Sequence, residues 1–142
     1  MSIAVFNAGS SSLKFGAFDA SARPLASGKL EWGEHDGRAR LSVTASEGDE
    51  HGRELDLEDM RAAVGCALDV LEHDSASSSI SAVGQRVVHG GTRFRSSVRI
   101  DAAVREELER LSELARLHNP PALQSIDAVA GGLAYSLNPP TI

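Results

Sequence analysis

The chain has 142 residues, 42% of them hydrophobic and 24% charged, with a formal net charge of -6. That is enough for one domain with a real core, and the acidic balance argues against a general nucleic-acid or anionic-membrane binder. A single cysteine, Cys66, excludes an internal disulfide framework, and without a secretory leader pattern or an apolar run near ~18 residues a cytoplasmic protein is expected.

The chain opens with Ile3-Ala4-Val5-Phe6, a short apolar run that predicts a buried strand. Leu13, Phe15 and Ala17 then alternate with Lys14, Gly16 and Phe18, so a second strand follows. The stretch from Asn7 to Ser12 between them is a hairpin tip. A P-loop needs GxxxxGK before Ser or Thr and leads into a helix, and this segment does neither. It still suits phosphate: small residues let backbone N–H groups approach an anion, hydroxyls donate, and Lys14 adds a fixed charge. The Asn7 amide oxygen suits a hard cation, directly or through water. The same composition also makes an ordinary turn.

Residues 24–32 predict a third strand ending at Trp32, and Leu41 and Val43 alternating with Arg40, Ser42 and Thr44 predict an antiparallel one. Glu34-His35-Asp36 and the stretch from Ser46 to Arg53 read as acidic loops, and His35 and His51 match no metal-ligand spacing. A helix is expected from near Asp56, which would cap it, with Leu57, Met60, Val64, Ala67, Leu68 and Leu71 at helical spacing. Cys66 lies inside it and reads as an inert core thiol.

After a Ser-rich connector from Asp74 to Ser79, Ile80, Ala82, Val83, Val87 and Val88 predict a buried strand. Arg86 sits in that run, where its guanidinium needs an anion. The partner is either an internal Asp or Glu, or a substrate carboxylate or phosphate gripped by the planar fork. Gly90-Gly91 either lets backbone approach a ligand or makes the exit turn. Arg93, Arg95 and Arg99 follow with only Phe94 interleaved, a solvated strand and turn rather than a nucleic-acid surface.

From Asp101 a second helix runs through Val104, Leu108, Leu111 and Ala115. Asn119 and Pro120 form an N-cap and first-turn pair, so a third helix should bury Leu123, Ile126, Val129, Ala130 and Leu133. His118 lies just ahead of that N-terminus, where it either serves a bound anion or is structural in a helix–helix corner. The helix gives out near Leu137, Asn138-Pro139-Pro140 makes a turn, and Thr141-Ile142 reads as the start of another strand.

Three of these stretches together make the chain resemble the N-terminal domain of the acetate kinase family, propionate kinase included. The family's opening N-x-G-S-S-S-x-K is intact at residues 7–14. Where the family has G-H-R-V-V-H-G-G, the chain has Gly84-Gln85-Arg86-Val87-Val88-His89-Gly90-Gly91. Where the family has L-A-P-L-H-N-P, the chain has Leu114-Ala115-Arg116-Leu117-His118-Asn119-Pro120. Gln85 departs from the family's histidine and Arg116 from its proline, which bears on any contact of that imidazole and on the local shape of the corner.

The resemblance implies a mixed α/β (α+β) fold, the ribonuclease H-like domain of the acetate and sugar kinase, Hsc70 and actin superfamily, opening with an antiparallel meander. It implies transfer of the ATP γ-phosphoryl group to acetate, giving acetyl phosphate and ADP with Mg²⁺, or to propionate. By the same resemblance Asn7 helps hold magnesium, while Ser10, Ser12 and Lys14 line the phosphate region. Arg86 orients the carboxylate, Val88 and Leu117 surround its alkyl group, and His118 contacts the transferring group. The family's acid–base aspartate, in an F-D-T-A-F segment, and its second domain with the adenosine site would lie beyond residue 142. The expectation is therefore a single domain over 1–142 that stops before its last strand, is inactive alone, and self-associates or dimerises through an exposed sheet edge. The competing classes are a non-catalytic remnant or interaction fragment, and a sugar kinase or actin-like ATPase. The arginine strand and the LHNP corner argue against the latter.

Overall fold

The computed structural model describes residues 1–33, 37–45, 48, 50–74 and 79–133. Strands β1 (Ser2–Ala8), β2 (Ser12–Asp19), β3 (Pro24–Trp32), β4 (Arg38–Ala45) and β5 (Glu50–Asp56) form an antiparallel meander. Helix α1 (Met60–Asp74) returns the chain to β6 (Ile80–Gln85), which joins β1 in parallel. Helices α2 (Ala102–Ser112) and α3 (Asn119–Leu133) follow, and the sheet order is β5-β4-β3-β2-β1-β6.

The period of two sorts the sheet's faces. Ala4, Phe6 and Ala8 of β1 and Leu13, Phe15 and Ala17 of β2 are buried on one face, against Met60, Val64 and Leu71 of α1 and Val129 of α3. Burying each large apolar side chain of this kind is worth about 1.5–3 kcal/mol. Leu108 of α2 packs with Leu123 and Ile126 of α3 in a second cluster that reaches Val87 and Phe94. Among the described residues both helices that contact the sheet lie on this one face. The other face carries the half-exposed Val5 and the exposed Lys14.

Several expectations change. The acidic loop expected up to Arg53 is, from Glu50, strand β5, paired to β4 from Thr44↔Glu50 to Arg38↔Asp56. It has no apolar alternation because almost every residue of it is exposed, and the ladder itself needs only backbone. Asp56 therefore ends a strand rather than capping a helix, and Leu57 precedes α1. The cap is Asp59, whose carboxylate accepts from the Ala62 N–H at 2.8 Å. The segment from Arg93 to Arg99 has no strand: a turn ends at Arg93, the chain bends at Arg95 and Ser96, and the rest is irregular.

α2 starts where expected, with Asp101 as its cap, accepting from the Val104 N–H at 2.8 Å, and Ala115 falls beyond the helix end. On α3 the buried stripe is Ala122, Leu123, Ser125, Ile126, Ala128 and Val129, because the helix packs between α1 and α2; Ala130 is exposed. The His35 loop, the connector at 75–78, the end of the third helix near Leu137 and the turn and strand expected from Asn138 to Ile142 lie outside the described residues.

Candidate functional site

Parallel pairing of β1 and β6 places the C-terminal ends of both strands at the same end of the sheet. The β1–β2 hairpin tip and the exit of β6 are therefore neighbours. An antiparallel β6 would have sent its exit to the far end.

On the hairpin, Asn7 and Lys14 lie directly opposite each other. Their neighbours Phe6, Ala8, Leu13 and Phe15 point into the core, so both project from the helix-free face. The Gly9 N–H donates to the Ser12 carbonyl at 2.8 Å and closes the tip. Gly9 has no positive φ, and a Cβ there would make only ordinary contact at 3.5 Å from Ser12 Oγ. The fold does not demand this glycine, so its absent side chain leaves room for a ligand beside the backbone.

Sequence reasoning missed the brace behind the tip. Trp32, at the end of β3, donates through Nε1–H to the Ser10 carbonyl at 3.2 Å and through its backbone N–H to the Ser11 carbonyl at 3.0 Å. The Ser10 and Ser12 hydroxyls thus sit on a loop held from the neighbouring strand. The available signal was the chain's sole tryptophan, closing the strand next to the hairpin.

Arg86 is not buried. β6 ends at Gln85, and although the Arg86 N–H still donates to the Phe6 carbonyl at 2.9 Å, its side chain is exposed. Alternation explains this: Gln85 Oε1 accepts from Ser125 Oγ–H of α3 at 2.8 Å, so Gln85 takes the helix face and Arg86 the open one. Gln85, the departure from the family pattern, is thus spent on α3 and on the Arg86 carbonyl, to which Nε2 donates at 3.2 Å. Among the described residues no carboxylate lies within ion-pair distance of the guanidinium. One residue past β6, the Arg86 backbone lies beside Asn7, which in turn faces Lys14, so the two cations' Cα atoms stand roughly 10 Å apart.

Beyond β6 the chain meets the α2–α3 corner. The His89 and His118 rings lie 6.1 Å apart with a 41° tilt. Both are exposed, as are Val88 (45%) and Leu117 (79%), so the apolar walls are open on this side. Asn119 does not cap its own helix with its side chain. Its Oδ1 accepts from the His89 N–H at 3.3 Å and its Nδ2 donates to the His89 carbonyl at 3.0 Å. The glycines after His89 build the exit turn rather than a ligand approach. The Phe94 N–H donates to the Gly90 carbonyl at 3.0 Å, a Cβ on Gly90 would collide with the Phe94 carbonyl, and Gly91 holds φ +63°. Arg86, Val88, Phe94 and Arg95 line a cleft of about 380 Å³ beside this turn.

The donors at the hairpin, an amide oxygen and two hydroxyls, are the hard oxygens that Mg²⁺ takes. Among the described residues no group of three or more His, Cys, Asp or Glu can hold a metal ion. With Lys14 opposite Asn7, a dication fits here only together with anionic phosphate oxygens. A larger cleft, about 510 Å³, lies at the other edge of the sheet, between β5 and α1, lined by Leu41, Val43, His51, Arg53, Val70 and His73. Nearby, burial pushes the Cys66 thiol up against the pull of Arg53, which suits the inert role expected of it. No helix among the described residues is long and apolar enough to cross a membrane.

The acetokinase family profile matches residues 2–136. The acetate kinase of Clostridium novyi is 37% identical over 140 residues, which cover 90% of this chain and 33% of that protein. The crystal structure of Porphyromonas gingivalis acetate kinase matches with a TM-score of 0.84 at 34% identity, over 93% of this chain and 34% of its own. A propionate kinase from Francisella tularensis matches with a TM-score of 0.82 at 28% identity, over 94% of this chain and 34% of its own. The architecture is the ribonuclease H-like, actin-type fold of these kinases. The chain spans about a third of the length of the curated relatives it matches.

Proposed function

The chain belongs to the acetokinase family, and from that premise we propose that it supplies the carboxylate-binding and phosphate-binding part of a carboxylate kinase, which passes the γ-phosphoryl group of ATP to acetate and yields acetyl phosphate and ADP. The observation that carries this reading is the adjacency of three residues at one end of the sheet: Lys14 opposite Asn7 in the hairpin, and an exposed Arg86 whose backbone N–H is bonded to Phe6, next to Asn7.

Such a transfer needs reactants held in line and their charge neutralised. Arg86 grips the acceptor carboxylate with its fork. Lys14 neutralises ATP phosphate charge, and the Ser10 and Ser12 hydroxyls donate to phosphate oxygens. Val88 and Leu117 face the alkyl group, and the His118 imidazole, at the same end of the sheet, donates to an oxygen of the transferring group. Bound with ATP, Mg²⁺ would neutralise phosphate charge, and Asn7 with the two serines would offer it oxygens. Propionate is the alternative acceptor, since the open walls at Val88 and Leu117 leave room for a further methylene.

The test is an acyl phosphate assay together with calorimetry. The 142-residue chain alone is expected to make no acetyl phosphate but to bind acetyl phosphate through Arg86. Mixed with the separately expressed remainder of a full-length relative, it is expected to turn over. Turnover by the chain alone would show that its own residues suffice. No binding alone and no turnover in the mixture would leave a non-catalytic remnant in place of this reading.

A further inference from the structure

Arg86 carries the proposed carboxylate contact with an exposed side chain, so its backbone places it; the Arg86 N–H bond to the Phe6 carbonyl holds one side, and the exit beyond it is held from elsewhere. Helix α3 grips the chain on both sides of it. Ser125 holds Gln85, one residue before Arg86, and Asn119 holds His89, three residues after. The second grip is the stronger determinant, because β6 has ended and no ladder fixes the exit there. Asn119 is 1% exposed, and its carboxamide accepts from the His89 N–H and donates to the His89 carbonyl. A buried amide persists only where both of its ends are satisfied, and here one backbone residue satisfies both.

We propose that Asn119 is a positioning residue of the site: by clamping the His89 backbone it sets the Arg86–His89 exit against the corner that carries Leu117 and His118. What the positioned groups then do rests on the carboxylate-kinase reading above. The clamp needs a side chain that accepts and donates at the same reach. Asp has the shape without the donor and turns an oxygen toward the His89 carbonyl. Ala has neither group. The 6.1 Å separation of the His89 and His118 rings is the geometric record of the clamp. Misplacing a reacting group by about 1 Å can cost on the order of 100-fold in rate, so a residue that touches no substrate still governs the reaction.

The test uses the 142-residue chain with labelled histidine and acetyl phosphate as the probe. In the wild type the rings of His89 and His118 should give a mutual proton contact by NMR, and the His89 amide should exchange at least about tenfold slower than in an unfolded chain. In Asn119→Asp the ring contact should vanish and acetyl phosphate affinity should fall roughly tenfold while the rest of the spectrum stays folded. Asn119→Ala should do the same. Unchanged ring contact and affinity in a folded variant would overturn the proposal. So would a lowered melting temperature with affinity and His118 signals intact, since that marks a merely structural residue. If neither variant folds, wild-type exchange decides: a His89 amide exchanging at the free-chain rate overturns the clamp. If the wild type does not bind acetyl phosphate, that counts against the kinase reading, which the mixture with the remainder then decides, and the ring contact and the His89 exchange still decide the positioning role.

Discussion

Asn7 and Lys14 are direct cross-strand partners, paired in the antiparallel register of β1 and β2 on the face that no described helix covers. Cβ atoms in such a pair stand about 4.5–5.5 Å apart, so one phosphate with its cation can touch both side chains. In the assembled kinase, Lys14→Ala and Asn7→Ala should each raise the KM for Mg–ATP by about tenfold or more, roughly the 1.4 kcal/mol of one charge-assisted contact, and leave the carboxylate KM within about twofold. Steady-state kinetics with each substrate varied in turn decide it. Equal effects on both constants would count against the assignment.

Exposure separates the two roles Arg86 can play. Because the Arg86 side chain is exposed, Arg86→Ala should change folding stability by no more than about 0.5 kcal/mol. In catalysis it should cost on the order of 2–4 kcal/mol, and Arg86→Lys should recover only part, since a point charge cannot grip both carboxylate oxygens. Denaturant melts and kcat/KM on the same variants check both halves. A large stability loss with ordinary kinetics would make Arg86 structural.

Trp32→Phe removes the Nε1–H donor to Ser10 while keeping an aromatic ring, smaller than the indole, and the backbone bond to Ser11. The expected loss is about 1 kcal/mol or less, with faster amide exchange at Ser10 to Ser12 and weaker nucleotide binding. Since Trp32 is the sole tryptophan, wild-type emission should change when Mg–ATP is added. Emission that ignores saturating nucleotide would sink the idea that this tip is the phosphate loop.

Asp19 closes the β2–β3 turn, accepting from the Arg23 N–H at 3.0 Å, the Ser21 N–H at 2.8 Å and Arg23 Nε at 2.9 Å. The backbone bond from Arg23 is foremost in holding its carboxyl below the ordinary 3.8. A folded pKa below the unfolded one means that the stabilisation is present above the unfolded value and is lost as pH falls through the folded value. Wild type and Asp19→Asn should therefore differ in melting temperature at about pH 6 and converge below about pH 3. A gap that persists in acid would refute the account.

Elements with one buried face were readable in the sequence. β2, β4 and α2 carry apolar residues at period two or 3.6 because burial demands it, and β1 and β3 show as short apolar stretches, whereas Asn7, Lys14, Arg86 and His118 kept a structural alternative each until the three motifs were read together. β5 was not readable, since a strand exposed on nearly every residue is held by backbone pairing that imposes no side-chain pattern. Arg86 looked buried because Val87 and Val88 continue the apolar run. β6 in fact stops at Gln85, whose side chain bonds to Ser125 across a gap of 40 residues. Asn119 looked like a cap for the same reason: a local pattern was complete, and the competing partner, His89, lies 30 residues away. Residue types and periodicities are local and belong to the sequence. That the hairpin tip, the arginine exit and the histidine corner share one end of the molecule follows from the parallel pairing of β1 with β6, a register between distant segments that only the folded chain decides.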